Sequence, residues 1–175
     1  SGNSRILKKM NRTYTREWYD MKLNRIRELI PDCGVSCDII TGFCSETEEE
    51  HQDTLDLMRK AEYDFSYMYF YSERPGTLAA RKYEDDIPEE VKKRRLSEVI
   101  EIQNEVAKRK NKAREGKVFR VLIEGESKKS KDDWMGRNDQ NIVCIFPKGN
   151  YQKGEYVDVL IERSTTTSLI GKGVS

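Results

Sequence analysis

The sequence predicts an α/β segment that forms part of a larger (βα) barrel or open sheet, then a linking helix, then a small closed or nearly closed all-β barrel. Three observations predict this. Residues 15–71 alternate helix, strand, helix, strand at about thirty residues per unit, the rhythm of a parallel sheet. Residues 88–113 carry helical spacing without interruption. Five short strands follow within about sixty residues, each bounded by Gly, Asn or Pro, as in closed β-barrels. The expected division is 1–84, 85–115 and 116–175.

Tyr19, Leu23, Ile26 and Ile30 recur at helical spacing and predict a helix from about Thr15 to Ile30, stopped by Pro31 and Gly34. Val35 to Thr41 is apolar and β-branched and reads as a buried strand. Gly42-Phe43-Cys44-Ser45 is its exit loop. Thr47 with Glu50 makes a capping box, and Glu48 and Glu49 suit the positive end of the helix it starts, which runs to about Ala61. Phe65 to Tyr71 is an aromatic strand. Two parallel strands need neighbours on both faces, so residues 1–84 are expected to be the closing part of a larger sheet.

Pro88 with Glu89 and Glu90 starts the long helix, and Val91, Leu96, Val99, Ile102 and Val106 are its expected apolar stripe. Lys108, Arg109, Lys110, Lys112 and Arg114 follow near its C-terminal end, where cations are favoured or simply solvated. Beyond Gly116, strands are expected at Val118–Glu124, Trp134–Arg137, Ile142–Phe146, Tyr156–Glu162 and Leu169–Gly171, with turns at Gly149-Asn150 and Lys153-Gly154.

Composition constrains function only loosely. The 175 residues include 32 basic and 31 acidic side chains, a net charge of +1, so any basic surface is local. Charged residues make up 36% and hydrophobic ones 36%, which implies a thin core or a missing partner surface. No apolar run approaches the ~20 residues that span a bilayer. The polar first residues and the lack of a starting Met lead us to expect a cytoplasmic piece of a longer protein. Cys33, Cys37, Cys44 and Cys144 mark no secreted framework. A Cys-x-x-x-Cys-x-x-Cys cluster loop would need a thiol where Ile40 stands, so buried, inert thiols and no metal site are expected.

Two strand exits carry the candidate chemistry. In Tyr71-Ser72-Glu73-Arg74-Pro75-Gly76-Thr77, Pro75-Gly76 fits a type II turn that presents Arg74 and Thr77, suited to a phosphate, carboxylate or nucleoside; an ordinary surface turn has the same residues. In Asp38 to Thr47, Gly42 admits close approach of a planar ligand, Ile40 could pack on an adenine face, and Glu46 could orient the loop; normal βα capping has the same pattern. His51 is alone and reads as a surface or satisfied histidine. In the barrel, Lys117, Arg120, Lys128, Lys129, Lys131 and Arg137 lie among Trp134, Asn138 and Asn141. That composition fits RNA phosphates with stacking, and equally a plain structural module.

Taken in order, these motifs resemble the radical-SAM methylthiotransferases that modify tRNA. Ser1-Gly2-Asn3-Ser4 with Met10-Asn11-Arg12 and Tyr14-Thr15 is similar to the middle of such enzymes. Asp38-Ile39-Ile40-Thr41-Gly42-Phe43 with Glu46-Thr47 resembles their strand-loop motif supporting adenine, with Cys44-Ser45 where the family usually has Pro-Gly. Tyr71-Ser72, Arg74-Pro75-Gly76-Thr77 and Ala79 resemble a further signature, Arg94-Arg95-Leu96 with Gln103 the linker helix, and Val121 to Gly125, Ser127-Lys128 and Gly136-Arg137 a TRAM domain.

The resemblance implies the C-terminal part of a TIM-like radical-SAM barrel, a linker helix, and then a small all-β, OB-like TRAM barrel. It implies an enzyme that methylthiolates isopentenyladenosine next to the tRNA anticodon with S-adenosylmethionine and two [4Fe-4S] clusters, whose cysteine ligands lie outside this chain. This segment alone would be inactive. Ile40, Gly42 and Glu46 would serve the cofactor, Tyr71, Ser72, Arg74 and Thr77 the substrate, and Lys128, Lys129 and Arg137 the tRNA. A sister enzyme acting on a ribosomal protein or on threonylcarbamoyladenosine, or a noncatalytic RNA-binding module, shares parts of this pattern.

Overall fold

The computed structural model describes residues 1–174, which fall into two compact units. The first comprises Ser1–Pro31 and Ser36–Gln103; the second comprises Asp32–Val35 and the chain from Asn104 onward.

In the first unit, α1 (Ser4–Lys9) is a short helix that spacing did not predict, because six residues are too few to show a period. Asn3 caps it by accepting from the Arg5 and Ile6 amides, and Ile6 is fully buried. Helix α2 (Arg16–Leu29) begins on the Thr15 side chain, as expected within a residue. Strand β1 (Ser36–Thr41) pairs in parallel with β2 (Phe65–Phe70). Between them α3 (Glu48–Ala61) starts on a complete capping box of Thr47 and Glu50. It ends on Glu62 in the left-handed conformation at φ 45°, which terminates the helix. A one-turn helix α4 (Leu78–Lys82) and the long α5 (Glu89–Lys112) complete the unit, α5 continuing into the second.

The sheet is covered unevenly. Paired residues of parallel strands share a face, so Asp38 with Tyr67 and Ile40 with Tyr69 lie together. Tyr67 and Tyr69 are 58% and 56% exposed. Burial on both faces, expected for a parallel strand, is therefore not reached within this chain. The expected stripe of α5 is also corrected. Val91 and Leu96 are only half-buried, while Lys92, Arg95, Val99, Ile102 and Gln103 are buried. Two cations can enter that face because each finds a carboxylate there, as described below.

In the second unit, β3 (Val118–Ser127), β4 (Ser130–Asn138), β5 (Val143–Pro147), β6 (Tyr156–Ser164) and β7 (Ser168–Val174) form a closed barrel in the order β3-β4-β5-β7-β6. Every pairing is antiparallel except β5 with β7. Alternating inward residues, among them Val121, Ile123, Phe146, Val157, Val159, Ile161 and Leu169, fill the interior. Closure needs two glycines: a Cβ on Gly136 would run into the Leu122 carbonyl, and one on Gly171 into that of Leu160.

All four cysteines are free. Cys44 and Cys144 are buried, and burial pushes the Cys144 thiol up to about 12. Cys33 and Cys37 are only half-buried, contrary to expectation. Cys37 is the second residue of β1, and burial still pushes its thiol up. Among the described residues no helix is long and apolar enough to cross a membrane, and no group of three or more His, Cys, Asp or Glu stands together as a metal site.

Candidate functional site

The β1 exit loop is held from inside by Glu46. Gly42, at φ +65°, donates its amide to Glu46 Oε1 at 2.8 Å, and the Glu46 amide donates to the Phe43 carbonyl at 2.9 Å. Only glycine adopts this φ without strain, and a Cβ here would also stand 2.5 Å from Lys92 Cγ. The close approach read from the sequence is thus made by the aliphatic stem of Lys92.

Glu46 is 2% exposed and Arg95 4%. Arg95 Nη1 donates to both the Glu46 carbonyl and Oε1 at 3.0 Å, and Nη2 donates to Glu48 Oε2 at 3.2 Å. Burial raises the Glu46 carboxyl above its usual range, opposed by the Gly42 amide and the Arg95 charge. Lys92 reaches Asp85 in a close ion pair and lies 5.3 Å from the Tyr71 ring centre. His51, buried in α3, meets Glu98 of α5 at 2.7 Å through Nε2. The outer rim of the loop is held by α1. Ser45 sits at φ +62°, and Arg5 donates to its carbonyl at 2.7 Å while pairing with Glu50 through two 2.5 Å bonds.

The β2 exit lies against the β1 exit. The Tyr71 amide donates to the Thr41 carbonyl at 2.8 Å, and the Tyr71 ring meets Phe43 edge-on at 4.9 Å between centres. Tyr71 therefore belongs to a small core with Ile6, Phe43 and Cys44 and does not join the exposed loop residues. Burial raises its phenol to about 12, and the Cys44 thiol lies beside it without completing a hydrogen bond. The expected turn forms: Gly76 has φ +83°, and the Thr77 amide donates to the Arg74 carbonyl at 3.2 Å. The Thr77 hydroxyl is engaged, donating to that same carbonyl and capping α4 through Ala80. Ser72 and Arg74 are exposed, and the Arg74 guanidinium has no partner among the described residues.

Five buried polar atoms lack a partner among the described residues. Four of them, Thr41 Oγ1, Glu46 Oε2, Tyr71 OH and Arg95 Nε, belong to the two exits or to the helix behind them. Buried polar groups are rarely left unpaired, so their concentration here marks a region completed by water or another molecule. Ile40, at the edge of this region, shares its sheet face with exposed Tyr69.

On the barrel, Lys128 and Lys129 form the exposed two-residue turn between β3 and β4. Arg137 is charge-compensated: Nε lies 3.4 Å from Glu124, and Nη1 donates to the Asn141 carbonyl at 3.0 Å. Trp134 is half-buried, donates Nε1–H to the Tyr151 carbonyl at 3.1 Å, and carries Lys148 over its ring at 4.8 Å. Asn138 is buried and ties the β4–β5 turn by accepting from the Ile142 amide. Of the predicted basic cluster, Arg137 is paired and Arg120 lies over the Tyr156 ring, whereas Lys117, Lys128, Lys129 and Lys131 are exposed with no ion pair among the described residues. Sequence reasoning did not foresee the burial of Lys92 and Arg95 behind the exit loop. Their only signal was two cations at helical spacing with Val99, which in a charged helix reads as solvent-facing.

Residues 112–174, which contain the closed five-stranded barrel, match the TRAM domain family model. Across its length the chain is 58% identical to a tRNA-2-methylthio-N(6)-dimethylallyladenosine synthase of Amoebophilus asiaticus, covering 98% of this chain and 36% of the relative. It is 55% identical to the synthase of Christiangramia forsetii and 51% to that of Phocaeicola vulgatus, in each case over 99% of this chain and 36% and 38% of the relative. The chain is similar to these synthases over nearly all of its own length and spans little more than a third of theirs.

Proposed function

We propose that this chain is part of a tRNA-modifying methylthiotransferase, in which it supplies one wall of the nucleoside pocket and the RNA-holding barrel. The reaction is methylthiolation at C2 of isopentenyladenosine beside the anticodon. The observation that carries the reading is the convergence of two strand exits beside a bare aromatic sheet face, in a chain 58% identical to a synthase of that name. In this reading residues 1–84 are the end of a radical-SAM barrel, and further strands cover Tyr67 and Tyr69. Residues 85–115 are the linking helix and 116–175 the TRAM barrel.

S-adenosylmethionine, when bound, would supply a radical that removes hydrogen from the adenine. The residues present fit its adenosyl part: Ile40 offers an apolar surface at the exit, only partly covered by the core of Ile6, Phe43, Cys44 and Tyr71. Gly42 and Glu46 keep the loop in shape. Arg74, exposed and unpartnered, supports contact with the substrate backbone, with Ser72 beside it, while Tyr71 and Thr77 fix that loop internally. The iron–sulfur clusters do not fit the thiols here, since Cys37 and Cys44 are held apart on strand and loop, and their ligands are assigned to the remainder of the protein. Lys128, Lys129 and Arg137 are the proposed tRNA contacts in a cytoplasmic enzyme.

The test is anaerobic expression of the complete protein in a host lacking its own synthase, followed by mass spectrometry of tRNA nucleosides. The 2-methylthio derivative is expected with the complete protein and absent with this 175-residue chain alone. Its absence in the first case, or its presence in the second, overturns the reading.

A further inference from the structure

An open cleft of about 650 Å³ lies on the outer wall of the barrel, away from the basic turn in sequence, and nothing described so far uses it. It is lined by the β5–β6 connection (Asn150, Tyr151) and by outward positions of β6 and β7, notably Tyr156, Asp158 and Lys172. Tyr156 is 57% exposed, unusual for a large ring on a β-barrel wall that has no structural need of it.

The ring is nonetheless fixed. The Arg120 guanidinium stands 4.4 Å from its centre. Arg120 is paired in register with Asp158 on the neighbouring strand, yet it makes no ion pair with that carboxylate and lies over the ring instead. Arg120 does not line the cleft, so the ring surface that Tyr156 turns toward the cleft is one the guanidinium leaves open. Tyr151 closes the other side, its ring packed on Gly173 so tightly that a Cβ there would stand 2.5 Å from Cε2.

The polar groups of the cleft do not suit a phosphate. The Asp158 carboxylate has no hydrogen bond or ion pair among the described residues and would repel an anion, and Lys172 is neutralised by Glu162 at 2.9 Å. An unpaired carboxylate, a carboxamide and a preorganised ring suit instead a planar, neutral group whose edge carries amino donors.

We infer that this cleft is a stacking site for one unpaired nucleobase of RNA, held against Tyr156 and read at its edge by Asp158 and Asn150. The inference rests on the barrel binding RNA, and it adds a contact of a different physical kind from the lysine turn. A stacked base releases no counterions, so its loss lowers affinity without changing the salt slope.

The experiment is fluorescence anisotropy of this chain with a labelled single-stranded oligoribonucleotide of mixed sequence, and with the same strand fully paired, across a salt series. Y156A is expected to weaken single-strand binding about 5- to 150-fold at an unchanged salt slope, and to leave duplex binding as it was. Y156F should retain wild-type affinity, and Y156L, which keeps bulk without a π-face, should behave as Y156A. Wild-type affinity in Y156A, a loss shared by the duplex, or a slope that falls with the affinity overturns the nucleobase site while RNA binding stands. Failure of the unmodified chain to bind either RNA overturns both readings.

Discussion

Arg95 is the side chain on which the first unit's exit loop depends most. It is buried, and its carboxylate partner Glu46 is buried with it, so neither tolerates the loss of the other. Arg95→Met should destabilise the protein by about 3–5 kcal/mol, because an uncompensated carboxylate remains inside. Adding Glu46→Gln should recover most of that loss, since the amide still accepts from Gly42 without a charge; a urea-denaturation double-mutant cycle measures the coupling. The neighbouring Glu48 gives the opposite pH behaviour to Glu46. Arg94 and then Arg95 hold Glu48 down to about 2, so its contribution is fully present above the unfolded value of 4.5 and is lost as pH falls toward 2. Burial raises Glu46, so its charge opposes folding, and that cost develops as pH rises above 4.5. Glu48→Gln should therefore lower stability at pH 7 by under about 1 kcal/mol, Glu48 being 45% exposed, and flatten the acid limb of stability measured against pH.

Helix α3 illustrates how much one element owes to its first turn. Its capping box satisfies two amides that no helical carbonyl can reach, and Glu48, Glu49 and Glu50 meet the positive end of the helix dipole. Thr47→Ala should cost about 1 kcal/mol, read from thermal or urea unfolding, and an unchanged midpoint would show that the bond contributes nothing. Helix α5 follows a different rule. Its N-terminal half buries Lys92 and Arg95 against carboxylates, and its later turns bury Val99, Ile102, Val106 and Ala107. One helix face thus serves an ion-pair network and an apolar core in succession. That is why a search for apolar periodicity placed the stripe slightly off its true course through Val91 and Leu96.

For the whole molecule, a net charge of +1 means that RNA affinity must come from placement of charge rather than its sum. Arg137 is paired with Glu124, whereas the turn at Lys128 and Lys129 carries no ion pair among the described residues. Substituting both lysines by Ala should weaken RNA binding and reduce the slope of log K against log salt by up to about 1.4, if each meets one single-strand phosphate. An unaltered slope would remove the turn from the interface. Barrel closure rests on equally local causes. Gly136→Val should prevent the β3–β4 approach and abolish the cooperative unfolding transition of the barrel, because the displaced atom is a backbone carbonyl that cannot yield.

Local chemistry determined much in advance. The helix starts at Thr15 and Thr47, the turn at Pro75-Gly76 and the places of β1, β2 and the five barrel strands are all written in capping residues, glycines and alternation over a few neighbours. Those signals act within one turn of chain, so a linear reading captures them. What only the tertiary structure decided is where long-range partners meet. Whether Arg95 is solvated or buried depends on Glu46, 49 residues away. Whether Tyr71 faces a ligand or a core depends on Phe43 and α1, and whether Arg137 is a free cation depends on Glu124 on the next strand. A side chain's sequence neighbours fix its backbone, but its charge state, exposure and availability to a ligand are set by groups the chain brings to it only on folding.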